Sequence, residues 1–299
     1  MRALVTGGAG FIGSHVVDAL LARGDDVVVV DTLTTGRREN LNPRAPLELL
    51  DVRDAAGLDH VLLGHAPEVV FHLAAQIDVR ASVADPAHDA HVNVLGTINL
   101  LRAATLAGTR RVVFSSTGGA IYGEADVIPT PEDAPELPLS PYGQAKLAAE
   151  GYLALASRAA GPSTIALRYA NVYGPRQDPL GEGGVVAIFC HRHEQGLPAA
   201  VYGDGNQTRD FVHVADIVEA NLLAAGSEAT GAVNIGTGRE TSVLELAAAL
   251  PGLRVEPAPE RPGEVRRSCL DPSRAGALLG WRVRTSLDAG LASLTGGPC

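Results

Sequence analysis

Arg2-Ala3-Leu4-Val5-Thr6-Gly7-Gly8-Ala9-Gly10-Phe11-Ile12-Gly13 begins as a short apolar run and ends as a chain of glycines. The run over Arg2–Thr6 predicts a buried strand, the glycines a tight turn, and residues 14–23 an amphipathic helix. A turn of this kind lets a pyrophosphate lie against the helix N-terminus, where free N–H groups and the helix dipole favour negative charge. Outward from this stretch, residues 27–30 form a second apolar strand ending in Asp31, eighteen residues past Gly13. An acid there hydrogen-bonds an adenosine ribose and repels a 2′-phosphate, which selects NAD over NADP. Arg37 and Arg38 are the residues that would argue for the phosphate.

Strands and helices then alternate: strands over 47–50, 69–73, 111–115 and 164–169, with helices over 87–107 and from Tyr142 onward. That alternation predicts an α/β fold, a doubly wound parallel sheet of Rossmann type. Beyond residue 173 glycine and proline loops dominate. A helix over 184–196 and a strand around Ala200, Val201 and Tyr202 belong to a smaller lobe, while residues 232–236 read as a strand returning to the main sheet. The expected division is 1–173 with 208–240 for the cofactor, and 174–207 with 241–299 for a second ligand.

With 299 residues, 46% of them hydrophobic, the chain can bury a sizeable core. Its net charge of −10 and lack of a basic run point away from nucleic acids and anionic membranes as partners. No apolar run is long enough to span a membrane, and a strand at residues 2–6 leaves no room for a signal peptide. Cys190, Cys269 and Cys299 are odd in number and lack metal-ligand spacing, as expected of a reducing cytoplasm and a protein without a metal site. His191 and His193 lie two residues apart on a helix, facing different ways, and cannot share an ion.

Chemistry is concentrated around Lys146, the single lysine beside twenty-three arginines. Where positive charge alone is needed this chain uses arginine, so a lone lysine marks a site for a compact ammonium. Ser140 suits an N-cap and Pro141 the first helical position, which places Tyr142 and Lys146 on one helix face, one turn apart. Ser115-Ser116-Thr117-Gly118-Gly119 brings hydroxyls to the C-terminal edge of the sheet, where such folds bind ligands, so Thr117 can face Tyr142.

Together with Arg168-Tyr169-Ala170-Asn171-Val172-Tyr173-Gly174-Pro175-Arg176, these motifs resemble the extended short-chain dehydrogenase/reductase family, specifically its nucleotide-sugar 4-epimerases, over essentially the whole chain. The resemblance implies NAD bound by Gly7, Gly10, Phe11, Ile12, Gly13, Asp31, Asp51, Val52, Leu73, Ala74, Ala75, Asn93, Ser115, Tyr142, Lys146, Tyr169 and Val172. It implies a UDP-sugar whose uracil borders the backbone of Ala200, Val201 and Tyr202. Arg209 and Arg261 would clamp the diphosphate, Asn171 and Glu264 would meet phosphate or ribose, and Val185 would border the substrate. Tyr142 would take the C4 hydroxyl proton and Thr117 would hydrogen-bond the C4 oxygen. An ordinary phenol titrates near 10; lowering it by roughly 3 units requires about 4 kcal/mol, which one cation at about 4 Å supplies at an effective dielectric of 20. Lys146 is assigned that role, and an unusually acidic phenol is expected.

Related 4,6-dehydratases and uronate decarboxylases carry an acid just after the catalytic hydroxyl residue, where this chain has Gly118 and Gly119, and Glu124 lies past the next turn. Epimerisation is therefore expected ahead of elimination or decarboxylation. A non-catalytic dinucleotide sensor is opposed by the intact Tyr142 and Lys146. Arg192, seven residues after Val185 on the same helix, could read a carboxylate, so UDP-glucuronate competes with UDP-glucose as the substrate. A homodimer is expected to pack through the helices at 87–107 and 142–160.

Overall fold

The structure, a computed structural model, describes residues 1–179, 184–261 and 265–295. In chain order, β1 (Arg2–Thr6), α1 (Phe11–Ala22), β2 (Asp26–Asp31), β3 (Leu47–Leu49), α2 (Ala55–His65) and β4 (Val69–His72) make the first half of a wound sheet. Short helices α3 (Val79–Ala84) and α4 (Pro86–Ala90) lead through a π-helical turn (His91–Leu95) into α5 (Gly96–Leu106). β5 (Arg111–Thr117), α6 (Gly118–Ile121), α7 (Pro141–Arg158) and β6 (Ser163–Tyr169) follow.

Strands β7 (Asn171–Tyr173), β8 (Ala199–Tyr202), β9 (Thr208–Arg209) and β10 (Phe211–His213) come next, with α8 (Val185–Glu194) between β7 and β8. The remainder comprises α9 (Val214–Gly226), β11 (Gly231–Ile235), β12 (Thr241–Ser242), α10 (Val243–Ala248), β13 (Val255–Ala258), β14 (Arg267–Ser268), α11 (Ser273–Leu279) and α12 (Leu287–Thr295).

Among the described residues, seven strands form one sheet in the order β11-β6-β5-β4-β1-β2-β3, and every pairing in it is parallel. The order reverses between β1 and β4, so a crevice opens at their C-terminal ends, where Thr6 pairs with His72. Val5, Val17, Phe71, Leu167 and Ile217 pack on the α1 and α9 face of the sheet, and Leu4, Leu58, Val70, Leu100 and Phe114 on the α2, α5 and α7 face. Burial on both faces explains why the strands read as continuous apolar runs. A third apolar cluster, with Val186, Phe189, Val201, Phe211, Leu246 and Leu291, lies outside the main sheet between α8, α10 and α12. No helix among the described residues is long and apolar enough to cross a membrane.

Two elements differ from expectation. β5 runs two residues further, through Thr117, because β6 continues to pair with it: Ser116 faces Arg168 and Thr117 faces Tyr169. The helix expected over 87–107 carries the π turn, and its Asn93 side chain turns inward, donating to Gln76 O at 2.9 Å and Asp89 Oδ1 at 3.0 Å. A π turn adds a residue to the helical repeat and re-aims the side chains it contains.

Candidate functional site

The glycine turn packs too closely for side chains at Gly7, Gly8 and Gly13. Gly7 has φ +69°, and a Cβ there would lie 2.7 Å from Ala74 N; at Gly13 a Cβ would lie 2.1 Å from Gly7 O. Gly10 caps α1 with no side-chain hydrogen bond, leaving the Phe11, Ile12 and Gly13 amides at an uncapped helix start. A pyrophosphate fits this cradle without displacing a side chain. Asp31, at the end of β2, accepts from Ala9 N (2.9 Å) and Leu33 N (2.8 Å), which holds its carboxylate beside the turn. Arg37 is engaged with Asp178 at 2.6 Å.

Along the rim of the crevice, Asp51 pairs with Arg53, whose guanidinium holds the carboxyl below its usual range, and Val52 is buried against Gly96. Leu73, Ala74 and Ala75 are partly buried after β4, with Ala74 N donating to Thr6 Oγ1 at 3.2 Å. His72 bridges Thr6 (2.7 Å) and Thr97 (3.1 Å); burial, with the nearby Lys146 charge, pushes its ring down to about 3, so it stays neutral. Asn93, assigned to the cofactor from sequence, has its amide bonded to Gln76 and Asp89, where it fixes the loop following β4.

At the head of α7, Ser140 Oγ accepts from Gly143 N at 3.2 Å and Pro141 occupies the first turn, as expected. Tyr142 N donates to Ser82 Oγ at 3.2 Å, tying this helix start to α3. Lys146 is buried, donates to Ser115 O at 2.9 Å, and lies 4.7 Å from the centre of the Phe114 ring. Burial lowers the ammonium to about 8, against the opposing pull of Asp89 and Glu150. Thr117 hydrogen-bonds the Tyr142 side chain.

The phenol itself departs from expectation: burial and the Asp89 carboxylate push Tyr142 up, and the Thr117 hydrogen bond is what pulls it down. Lys146 is not among the groups that shift the phenol, so the downward pull expected from the lysine is not found in this structure. Beneath Thr117, Ser116 Oγ donates to Glu150 at 2.5 Å, and Glu150 pairs at 2.6 Å with buried Arg168 on β6. Tyr169 turns its hydroxyl into the core, against Asn221 at 2.8 Å.

A cavity of about 210 Å³ opens beside this edge, lined by Asn171, Val172, Gln177, Val185 and Phe211 among others. Gln177 was not singled out from sequence. It donates to Val172 O at 3.2 Å, and its Oε1 is buried without a hydrogen-bond partner among the described residues. Arg192 shares a helix with Val185 but is exposed and does not line the cavity; seven residues of helix separate them by about 10 Å along the axis.

The uracil candidates Ala200, Val201 and Tyr202 lie on β8, whose pairing edge meets β13. The Arg261 guanidinium stacks 3.6 Å from the centre of the Tyr202 ring, over a small pocket that also includes Gln207 and Glu260. Arg209, on β9, is the register partner of Thr241 and Ser268 and donates to Thr208 O at 2.8 Å. Glu264 and Cys299 lie outside the described residues.

Two further residues bear on the chemistry. A Cβ on Gly118 would lie 2.4 Å from Leu270 Cδ1, whereas one on Gly119 would lie 3.9 Å from Asn171 Oδ1 and 4.0 Å from Thr117 Oγ1. The Gly119 position therefore faces the site and has room for an acid that the chain does not supply. Glu124 accepts from Arg266 N at 2.7 Å and is held there by that contact.

The sequence profile of the NAD dependent epimerase/dehydratase family matches residues 3–236. The UDP-glucose 4-epimerase of Mycolicibacterium smegmatis is 47% identical over 302 residues, covering 98% of this chain and 96% of its own. The crystal structure of UDP-glucose 4-epimerase from Thermotoga maritima with UDP-glucose is similar with a TM-score of 0.97 at 47% identity, covering 99% of this chain and 98% of that one. The Thermus thermophilus UDP-glucose 4-epimerase complex with NAD has a TM-score of 0.93 at 46% identity, covering 99% and 97%.

Proposed function

Because the chain belongs to the NAD dependent epimerase/dehydratase family, we propose that it is a UDP-hexose 4-epimerase interconverting UDP-glucose and UDP-galactose through a transient 4-keto sugar. The cradle of Gly7, Gly10 and Gly13 holds NAD, with the Phe11 to Gly13 amides on the pyrophosphate and Asp31 on the ribose. NAD, when bound, supplies the acceptor and then the donor of the C4 hydride. Tyr142 takes the C4 hydroxyl proton and returns it, Thr117 hydrogen-bonds the same oxygen, and Lys146 contributes positive charge beside the phenol. Residues 174–207 and 241–299, joined by Asn171 and Arg209 from the cofactor part, carry the UDP, with Arg209 and Arg261 on the diphosphate, Ala200, Val201 and Tyr202 beside the uracil, and Asn171 and Val185 lining the cavity.

The observation that carries this assignment is the paired Thr117 and Tyr142 at an edge where Gly119 offers room but no acid. Elimination of water or loss of a carboxylate needs a further proton carrier there. Support also comes from the relatives: the Thermotoga protein was solved with UDP-glucose and the Thermus protein with NAD. Arg192 is exposed and outside the lining of the cavity, which favours UDP-glucose over UDP-glucuronate. We also place the protein in the cytoplasm, consistent with the free thiols of buried Cys190 and Cys269, as a homodimer through the exposed Leu95, Leu106, Tyr152 and Leu155 of the π turn, α5 and α7.

Proton NMR of the purified protein given UDP-glucose and UDP-glucuronate together tests the assignment. Anomeric signals of UDP-galactose should grow first. Growth of UDP-galacturonate alone, or of a 4-keto-6-deoxy sugar, would refute it.

A further inference from the structure

We propose that Asp89 is a positioning residue for the Tyr142 and Lys146 pair: its buried carboxylate, seated between the loop after β4 and the first turns of α7, sets the pH range in which the pair works. This rests on Tyr142 being the C4 base and deepens that assignment. Asp89 is 1% exposed, one turn into α4, which packs against α7. Its Oδ1 accepts from Gln76 Nε2 at 2.8 Å and Asn93 Nδ2 at 3.0 Å. Its Oδ2 is buried with no hydrogen-bond partner among the described residues. An ionised oxygen left unbonded in the interior is costly unless a charge balances it.

The groups acting on this carboxyl are few. The loop after β4 and the π turn present the neutral amides of Gln76 and Asn93. His88 acts from its own helix, and Lys146 and Tyr142 from α7, while Glu150 acts on Lys146 from further along α7. Burial raises the Asp89 carboxyl, whereas both amides and the Lys146 charge lower it. Burial is the larger influence on each partner, raising the phenol and lowering the ammonium, and beside it the Asp89 charge acts with one sign on both, favouring the protonated ammonium and the protonated phenol. Taking that charge away makes both groups more acidic, which a mere loosening of the loop cannot do.

The test is the pH dependence of kcat on NAD-loaded enzyme with UDP-glucose, for the wild type, Asp89→Asn and Asp89→Glu. Asp89→Asn keeps an acceptor for Gln76 and Asn93 and removes the charge. Both limbs of its bell should move to lower pH by about 1 unit, roughly tenfold in the proton concentration at each midpoint. Asp89→Glu should return the wild-type limbs. A reduced plateau with unmoved limbs in Asp89→Asn would overturn the proposal by making the role purely structural. Should that variant fold poorly, Asp89→Ser removes the same charge and is read in the same way. Tyr142→Phe is measured alongside: turnover surviving in it would refute the base assignment itself, whereas an inactive Tyr142→Phe beside unmoved limbs refutes only the role of Asp89.

Discussion

Replacing Gly13 by alanine probes the cradle on which cofactor binding depends. The added Cβ would sit 2.1 Å from Gly7 O and 2.8 Å from Gly7 C. Ordinary contact begins at 3.4 Å, so the turn must give by more than 1 Å. Gly7 has little freedom to yield: its N–H is bonded to Val30 O at 2.8 Å, and its own Cα faces Ala74 at a spacing that admits no Cβ. Overpacking of this kind costs about 1–3 kcal/mol. A central 2 kcal/mol falling on the bound geometry weakens NAD roughly thirtyfold. Calorimetric titration of NAD into cofactor-stripped protein, with thermal melts of the same samples, reads both effects. Gly64→Ala is the matched control: Gly64 lies in α2 with nothing within 4 Å of its Cβ position, so alanine there should stabilise by about 0.5–1 kcal/mol through helix propensity and leave NAD affinity unchanged. If Gly13→Ala bound NAD as tightly and melted as high as Gly64→Ala, the close-packed cradle would be the wrong explanation of this turn.

Tyr142→Phe should fold and retain NAD yet lose on the order of 10²–10⁴ in kcat by the NMR assay, the range expected when a positioned general base is removed. Arg192→Ala should change UDP-glucose turnover less than about twofold in steady-state kinetics, the usual outcome for an exposed side chain away from a site. His72 is neutral in the fold, held down to about 3 against an unfolded value of 6.5. Its contribution to stability is therefore complete above about 6.5 and falls as pH drops toward 3, at roughly 1.4 kcal/mol per pH unit, so His72→Gln should show a shallower loss of denaturant midpoint on acidification than the wild type. Arg168→Met strands the Glu150 carboxylate with which it pairs at 2.6 Å and should cost about 3–5 kcal/mol in urea unfolding, with Glu150→Gln in the same chain recovering part of the loss.

Most of the fold was legible because its signals are local. Apolar runs, the glycine turn and the Ser140-Pro141 helix start each depend on residues within a few positions of one another, and each appears where expected within two or three residues. The two extra residues of β5 were invisible because they exist through pairing with β6, a contact made across fifty positions of chain. The π turn was hidden for the same reason: Asn93 is drawn inward by Gln76, seventeen residues away, and nothing in the helical period announces it.

The candidate site divides along the same line. Residue types and spacing brought Tyr142, Lys146 and Thr117 together and left glycines at the two positions after Thr117, since helix geometry and strand ends position side chains by counting. Tertiary structure alone decided what those groups experience. Packing buries Asp89 beside the pair, and burial of the phenol together with the Asp89 charge raises Tyr142 where the lysine was expected to pull it down. Arg192 shares a helix face with Val185 by count, but the length of α8 carries it into solvent. Burial and long-range charge are sums over the whole fold, and no window of sequence contains them.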